Sequence, residues 1–348
     1  MLKKFKNLFI VKIFFVILVV VLILTIIMPE KEIVVKEEKL KEEFFNPFLL
    51  TWQEVALSVP WSKRDAHANV VFKDKIWLFG GIEGKEIFDG IYEKLPHKND
   101  VWYSIDGINW NLATAQAPWR ERRSIRVINF QDKMWLMGGW GPIVGYQNDI
   151  WYSKDGINWS KATTTAAWPA REGHSLTKFQ NKLWLIGGVD YNKRTTKNDI
   201  WYSKDGINWS LATLNAEWLP RWDHAVTVFQ NKLWLVGGMD LNKNIFKDVW
   251  SSEDGINWNL VTDNPPWLER QGHEILVFQE KLWLIGRFNK ENDVWFSKDG
   301  VSWEKTNINP AWIGREDFTA VVFKDKIWIM GGMDINKNFR NDIWYSVF

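Results

Sequence analysis

Cysteine is absent from the 348-residue chain. That excludes disulfides, thiolate metal sites, cysteine nucleophiles and lipid attachment through cysteine. A charge excess of either sign is missing too, since 44 basic and 42 acidic residues leave a formal net charge of +2. A near-neutral balance gives no electrostatic reason to expect nucleic acid as a partner. What the chain holds in quantity is aromatic side chain, 16% of its residues, with tryptophan alone supplying 26. Such a load rules out disorder over most of the chain. The length allows about two average domains or one large all-β domain.

One long apolar run is present, Leu8 to Met28, broken only by Lys12 and Thr25. About 20 apolar residues at 1.5 Å rise each cross a hydrocarbon core of roughly 30 Å. Lys3, Lys4, Lys6 and Lys12 stand at its N-terminal end. The positive-inside rule therefore keeps residues 1–7 in the cytoplasm and exports everything after Pro29. Ile27-Met28-Pro29-Glu30 offers no small-x-small cleavage site, so residues 8–28 read as an uncleaved transmembrane signal-anchor in the cell membrane. Residues 29–47 begin as a mixture of Glu, Lys and Val and read as a charged stalk. All acidic residues, and all basic ones except those four lysines, lie beyond the run. The exported part thus has no basic excess for anionic lipid or nucleic acid.

From residue 48 onward the chain repeats itself. The phrase Asn/Lys-Asp-Ile/Val-Trp ends at Trp102, Trp151, Trp201, Trp250, Trp295 and Trp344, with spacings of 49, 50, 49, 45 and 49 residues. A second phrase, Lys-Leu/Ile/Met-Trp before a glycine pair, is centred on Trp77, Trp135, Trp184, Trp234, Trp283 and Trp328. A third, Ser-x-Asp-Gly-x-x-Trp, ends at Trp110, Trp159, Trp209, Trp258 and Trp303. A fourth, Trp-x-x-Arg, begins at Trp61, Trp119, Trp168, Trp218, Trp267 and Trp312. With Trp52 as the displaced sixth member of the third set, only Trp140 and Trp222 fall outside the pattern. Within each unit, β-branched and aromatic runs separated by Asx and Gly turns predict four short strands. In the unit beginning at Arg221 they cover 224–229, 232–236, 248–252 and 258–262, the last two joined by an Asp254-Gly255 hairpin.

The glycine pair after the second strand, the later tryptophan and the period near 50 resemble the kelch repeats of β-propellers, over residues 48–348. The resemblance implies an all-β, six-bladed kelch-type β-propeller of four-stranded blades around a channel, like the central domain of galactose oxidase. The chain ends in a third strand, and Thr51-Trp52-Gln53-Glu54-Val55-Ala56 matches a fourth strand without its blade. The strand near Trp52 is therefore expected to complete blade six and close the ring. The turn phrase, as in Ser153-Lys154-Asp155-Gly156-Ile157-Asn158-Trp159, also resembles the Asp-box of sialidases, one residue shorter. In that family the box is a structural hairpin, so it implies a propeller again and not a glycosidase.

Six arginines, Arg64, Arg122, Arg171, Arg221, Arg270 and Arg315, precede the glycine pairs by 16 residues and begin the first strands. Arginines at this position of kelch propellers contact acidic partners in some members, and guanidinium forks suit carboxylates. The competing reading is that each stacks on its own Trp-x-x partner or ties neighbouring blades. Recurrence in every unit favours the second reading, because specific sites break a repeat's symmetry. His67, His174, His224 and His273 follow three residues later and could converge on a metal. Ile125 and Phe318 occupy the same position in the other units, so packing is the expected role and no metal site is assigned. Asp240-Leu241-Asn242-Lys243-Asn244 and its counterpart from Asp334 lack the glycine and terminal glutamate of a calcium loop and read as polar turns.

Function is expected where the units differ. The loop from Ile82 to Lys98 is nine residues longer than its counterparts, the second such loop carries Trp140 and Tyr146, and Arg287 replaces a glycine. Beside the arginines, Arg123, Glu172, Trp222, Asp223, Glu316 and Asp317 also break the pattern. Topology gathers all of them on the face of the second-to-third-strand loops and the connections between blades. The candidate ligand-binding residues are Arg123, Trp140, Trp222 and Asp223, with Arg122 and Arg221 adding positive potential. Three functions compete. The first is a membrane-anchored, extracytoplasmic module that binds a protein, peptide or glycan without a cofactor. The second is a sugar-acid enzyme resembling the kelch-type N-acetylneuraminate mutarotase, using an arginine and a carboxylate. The third is a structural or assembly spacer. Galactose oxidase chemistry is excluded by the missing cysteine, and the Phe/Tyr-Arg-Ile-Pro signature of sialidases is not found.

Overall fold

A computed structural model describes residues 45–55, 59–84, 94–287 and 292–347. The expected signal-anchor at 8–28 and nearly all of the expected stalk lie outside the described residues, as does the middle of the long loop after Ile82. Among the described residues no helix is long and apolar enough to cross a membrane. Residues Phe48–Val347 form one compact unit. It is an all-β propeller of six four-stranded antiparallel blades.

The innermost strands are Ala68–Phe72, Arg126–Phe130, Ser175–Phe179, Ala225–Phe229, Glu274–Phe278 and Thr319–Phe323. Each packs beside the next, and the last packs beside the first. A blade then grows outward through three further strands, as in Ser175–Phe179, Lys182–Asp190, Thr195–Ser203 and Trp209–Thr213 of blade three. Second strands are buried on both faces, as Leu183, Trp184, Leu185 and Ile186 show, because each sheet lies between two others. In blade six the outermost strand is Thr51–Glu54, which pairs with Ile343–Val347 from Thr51 opposite Val347 to Glu54 opposite Trp344. The first strand of the propeller thus completes its last blade. The chain enters the ring at the hairpin end, far from the loops that join second and third strands.

The tryptophans fill the spaces between blades. Trp119 lies on the connection between blades one and two, packed with Phe79 and Val101 of the first and Met134 and Leu136 of the second. It meets Trp159 edge-to-face at 4.9 Å. Trp61 with Trp110, Trp168 with Trp209, Trp218 with Trp258 and Trp267 with Trp303 repeat that contact, and Trp312 makes it with Trp52 across the closure. Each such ring buried adds about 1.5–3 kcal/mol of transfer free energy. The Asp-Gly hairpins lock onto the same interfaces. Gly156 holds φ at +82° and lies against Trp77 of the preceding blade, where a Cβ would stand 2.2 Å from the ring. Only glycine suits both demands.

The recurring arginines are the fasteners. Arg171 is fully buried, and its fork meets Asp199 of the third strand at 2.5 and 2.8 Å while Nη1 also donates to the Gly187 carbonyl at 2.8 Å. The same two-pronged pairing joins Arg64 to Asp100, Arg122 to Asp149, Arg221 to Asp248, Arg270 to Asp293 and Arg315 to Asp342. In five blades the tryptophan two residues after the aspartate donates its indole N–H to the same carboxylate, as Trp201 does at 2.9 Å; Trp295 of blade five does not. Backbone atoms of the arginine reach the other way. The Arg122 N–H donates to the Lys98 carbonyl of blade one, and its carbonyl accepts from Gly81 of that blade at 3.1 Å. Arg64 makes the same pair of bonds to Arg340 and Gly332 of blade six, each at 2.9 Å. One residue therefore braces its own blade through the side chain and ties it to the preceding blade through the backbone.

Ring closure generates a prediction. Deleting residues 48–55 bares the edge of Ile343–Val347 and removes Trp52 from Trp312. The expected loss is roughly 3–5 kcal/mol by analogy with large core truncations, together with self-association through the open edge. Thermal unfolding and sedimentation of the deletion variant check it. An unchanged melting temperature with a monomeric product would contradict the closure.

Candidate functional site

Three positions after each buried arginine build the upper channel. The second of them is Ala66, Ser124, Gly173, Asp223, Gly272 or Asp317, and all six have left-handed φ between 48° and 61°. Four are not glycine, and holding an L-residue there costs about 1 kcal/mol each. A belt of backbone hydrogen bonds offsets that cost. Ser124 donates to Ala66, Asp223 to Gly173, Gly272 to Asp223, Asp317 to Gly272 and Ala66 to Asp317, at 2.8–3.1 Å. This belt is the neck of the channel.

The third position packs against the preceding blade. His174 packs against Gly138 of the preceding blade, where a Cβ would meet its Cε1 at 2.4 Å, and His67, His224 and His273 do likewise at Gly331, Gly187 and Gly237. Burial and the neighbouring recurrent arginine hold these imidazoles well below their usual pKa, with His67 at about 3. Ile125 and Phe318 fill the same slot. The histidines are interblade spacers, and among the described residues no group of three ligating side chains could hold a metal.

The first position faces the mouth. Asp65, Arg123, Glu172, Trp222, Gln271 and Glu316, one from each blade, all line a cavity of about 630 Å³ above the neck. The left-handed residue that follows kinks the strand, so the first position re-pairs with its own second strand beyond the glycine pair. Arg123 bridges Trp140 in this way, Glu172 bridges Val189 and Trp222 bridges Met239. Trp140, Tyr146 and Tyr191 from the second-to-third-strand loops complete the wall. Asp240 caps its own turn, accepting from the Asn242 and Asn244 amides at 2.8 and 2.9 Å.

The mouth is electrostatically uneven. Arg123 forks Glu172 at 2.8 and 3.0 Å and lies over Trp140 at 4.8 Å from the ring centre. Trp222 meets Tyr191 edge-to-face at 5.5 Å. On the other side Gln271 donates to Glu316 at 3.0 Å, while among the described residues the Trp222 indole N–H and the Gln271 carbonyl oxygen have no partner. Asp65 is 1% exposed, and among the described residues its oxygens have no hydrogen-bond partner beyond its own backbone amide. Burial, then the nearby Asp317, pushes Asp65, Asp223 and Glu316 up, Glu316 to about 8, and Asp317 itself is raised by burial. Below the neck Arg126 donates to the His174 carbonyl at 2.8 Å, and burial raises Glu274 to about 7.

The structure brings Arg123, Trp140, Trp222 and Asp223 together around this cavity. Arg122 and Arg221 are not among its lining residues. They are 1% and 0% exposed, and their forks are filled by Asp149 and Asp248. Arg221 also stacks over Trp218 at 5.8 Å and Phe246 at 4.3 Å. These two arginines place their successors, Arg123 and Trp222, at the mouth. Sequence reasoning passed over Asp65, Gln271 and Tyr191. The first two stand in the column immediately after the arginines, and that column was the available signal. Compared with protein-family models the chain matches none, and no curated protein matches it.

The raised carboxyls set a pH dependence. Between about pH 4 and 8 the folded chain binds more protons at Asp65, Asp223, Glu274, Glu316 and Asp317 than the unfolded chain does, although Arg123 and Arg126 moderate the effect. Their contribution to stability therefore falls as pH rises through that window. Burial works against the arginine-paired Asp100, Asp199 and Asp342, yet the guanidinium bonds hold them below the usual carboxylate range, so their support is lost as pH falls below about 4. The four histidines, held neutral by burial, take up protons only on unfolding, so stability also falls as pH drops below about 6.5. Above about pH 6.5 the melting temperature should therefore drop by a few degrees towards pH 8.5, with Glu316→Gln flattening the drop. A rise towards alkaline pH in the unmodified protein would contradict the assignment.

Proposed function

We propose that the protein is a binding module that takes a protein, peptide or glycan ligand into the mouth of its propeller, held outside the cytoplasm by an N-terminal anchor. The carrying observation is that all six residues following the buried arginines line one cavity and comprise five residue types. Symmetric positions serve the ring, and the asymmetric column is free to specify a ligand. Aromatic walls from Trp140, Trp222, Tyr146 and Tyr191 beside unsatisfied polar atoms fit a recognition site. At the opposite end the hairpins are near copies whose aspartates are spent on their own turns, as Asp155 is on the Ile157 and Asn158 amides. The repeat phrases that resemble kelch units support the same reading, since propellers of that type bind at the corresponding face. Arg123, the one arginine among the described lining residues, is engaged by Glu172, which argues against the sugar-acid enzyme.

Glycan and peptide libraries presented to the purified chain identify ligands. For a ligand so found, Trp222→Ala and Arg123→Ala should each weaken binding by about 1–3 kcal/mol, the range of an interface hot spot. Ile157→Ser at a hairpin tip should leave affinity unchanged. Normal binding by both mouth variants, with loss on hairpin substitution, would sink the proposal. The anchor rests on the apolar run and its lysines, and protease added to intact cells should digest the propeller; protection of the propeller would overturn it.

A further inference from the structure

Asp65 is set apart from the other buried acids. The six blade aspartates are each forked by an arginine, and Glu172 is forked by Arg123. Asp65 is buried too, its oxygens without a partner among the described residues beyond its own backbone amide, and the residue lines the mouth. A buried carboxylate without a partner is costly, by several kcal/mol when ionised. Its surroundings deepen the deficit. Glu316 and Asp317 of the adjoining blade act on it, and Arg123, the cation that draws its carboxyl down, is forked to Glu172. Among the described lining residues six acids (Asp65, Glu172, Asp223, Asp240, Glu316 and Asp317) face two cations, Arg123 and Lys243.

Resting on the binding-module reading, we infer that the mouth recognises an organic cation, the ammonium or guanidinium of a basic side chain in a peptide or protein partner, with Asp65 as its principal carboxylate. A bare metal ion is a poor fit, because among the described residues no three acids or histidines come close enough to hold one. A cation on a long aliphatic stem fits better. The cavity is wide at the rim and narrows to the backbone belt, and Trp222 and Tyr191 offer apolar and π surface to the stem. The raised Asp65 carboxyl gives the event a signature. In the empty mouth burial, Asp317 and Glu316 push this carboxyl up while Arg123 draws it down, and an incoming cation favours its ionised form.

The test is calorimetric titration of the full chain at pH 7 with acetylated, amidated Gly-Lys-Gly and Gly-Arg-Gly, the norleucine analogue, and glucosamine. The basic peptides should bind and release protons, read from the dependence of heat on buffer ionisation. The norleucine peptide should bind at least about tenfold more weakly. Asp65→Asn should weaken the basic peptides about tenfold or more while leaving or raising the melting temperature, since it removes an unpaired acid without changing shape. Equal binding of the norleucine peptide, an unchanged Asp65→Asn affinity, or silence of both basic peptides overturns the inference. Binding of glucosamine without the peptides overturns the peptide occupant in favour of an amino sugar. A neutral glycan lost on Trp222→Ala but indifferent to Asp65→Asn overturns the cation and leaves the mouth reading standing. Ligands indifferent to both variants remove the mouth reading itself.

Discussion

The buried arginine–aspartate fork is the constraint on which the rest of the propeller depends. A guanidinium with no solvent around it needs its donors filled, and at Arg171 the carboxylate of Asp199, the Gly187 carbonyl and the Pro169 carbonyl fill them. That fixes the first strand relative to the second and third strands of the same blade. The fork also fixes the arginine backbone, which is the part that reaches the preceding blade. Hydrophobic burial of the tryptophans supplies most of the driving force, but burial is non-directional. The forks supply the register.

Locking the arginine has a consequence one residue later. The belt of left-handed residues lies two positions after it, so each strand kinks at a fixed height and each intervening side chain is delivered to the mouth. The ring can therefore keep its arginines invariant while the neighbouring column runs Asp65, Arg123, Glu172, Trp222, Gln271 and Glu316. Scaffold and specificity sit on adjacent residues. The positive charge of the six arginines is spent inside the blades, and the mouth is left acidic instead.

Much of the architecture was legible because its signals are local. The Asp-Gly hairpins, the glycine pairs and the tryptophan phrases each describe a turn or strand within a few residues, and repetition six times fixed the blade count. The arginines were harder. Their partners stand 23 to 36 residues away, in a phrase recognised only as a repeat, so recurrence could not show whether the forks faced a ligand or their own blade. Trp140 and Trp222 stood out by breaking the pattern and lie at the mouth. Asp65 did not stand out, because an aspartate beside an arginine on a polar strand end looks like an ordinary surface pair. Its burial arises only when the six strands converge.

A double-mutant cycle at Arg221 and Asp248, read by equilibrium unfolding, tests the fork most directly. Each single change, Arg221→Met or Asp248→Leu, leaves a buried charge unpaired and should lose about 3–5 kcal/mol, while the double variant should lose far less than the sum. Small and additive losses would show that the fork does not hold the blades, and the account built on it would fail.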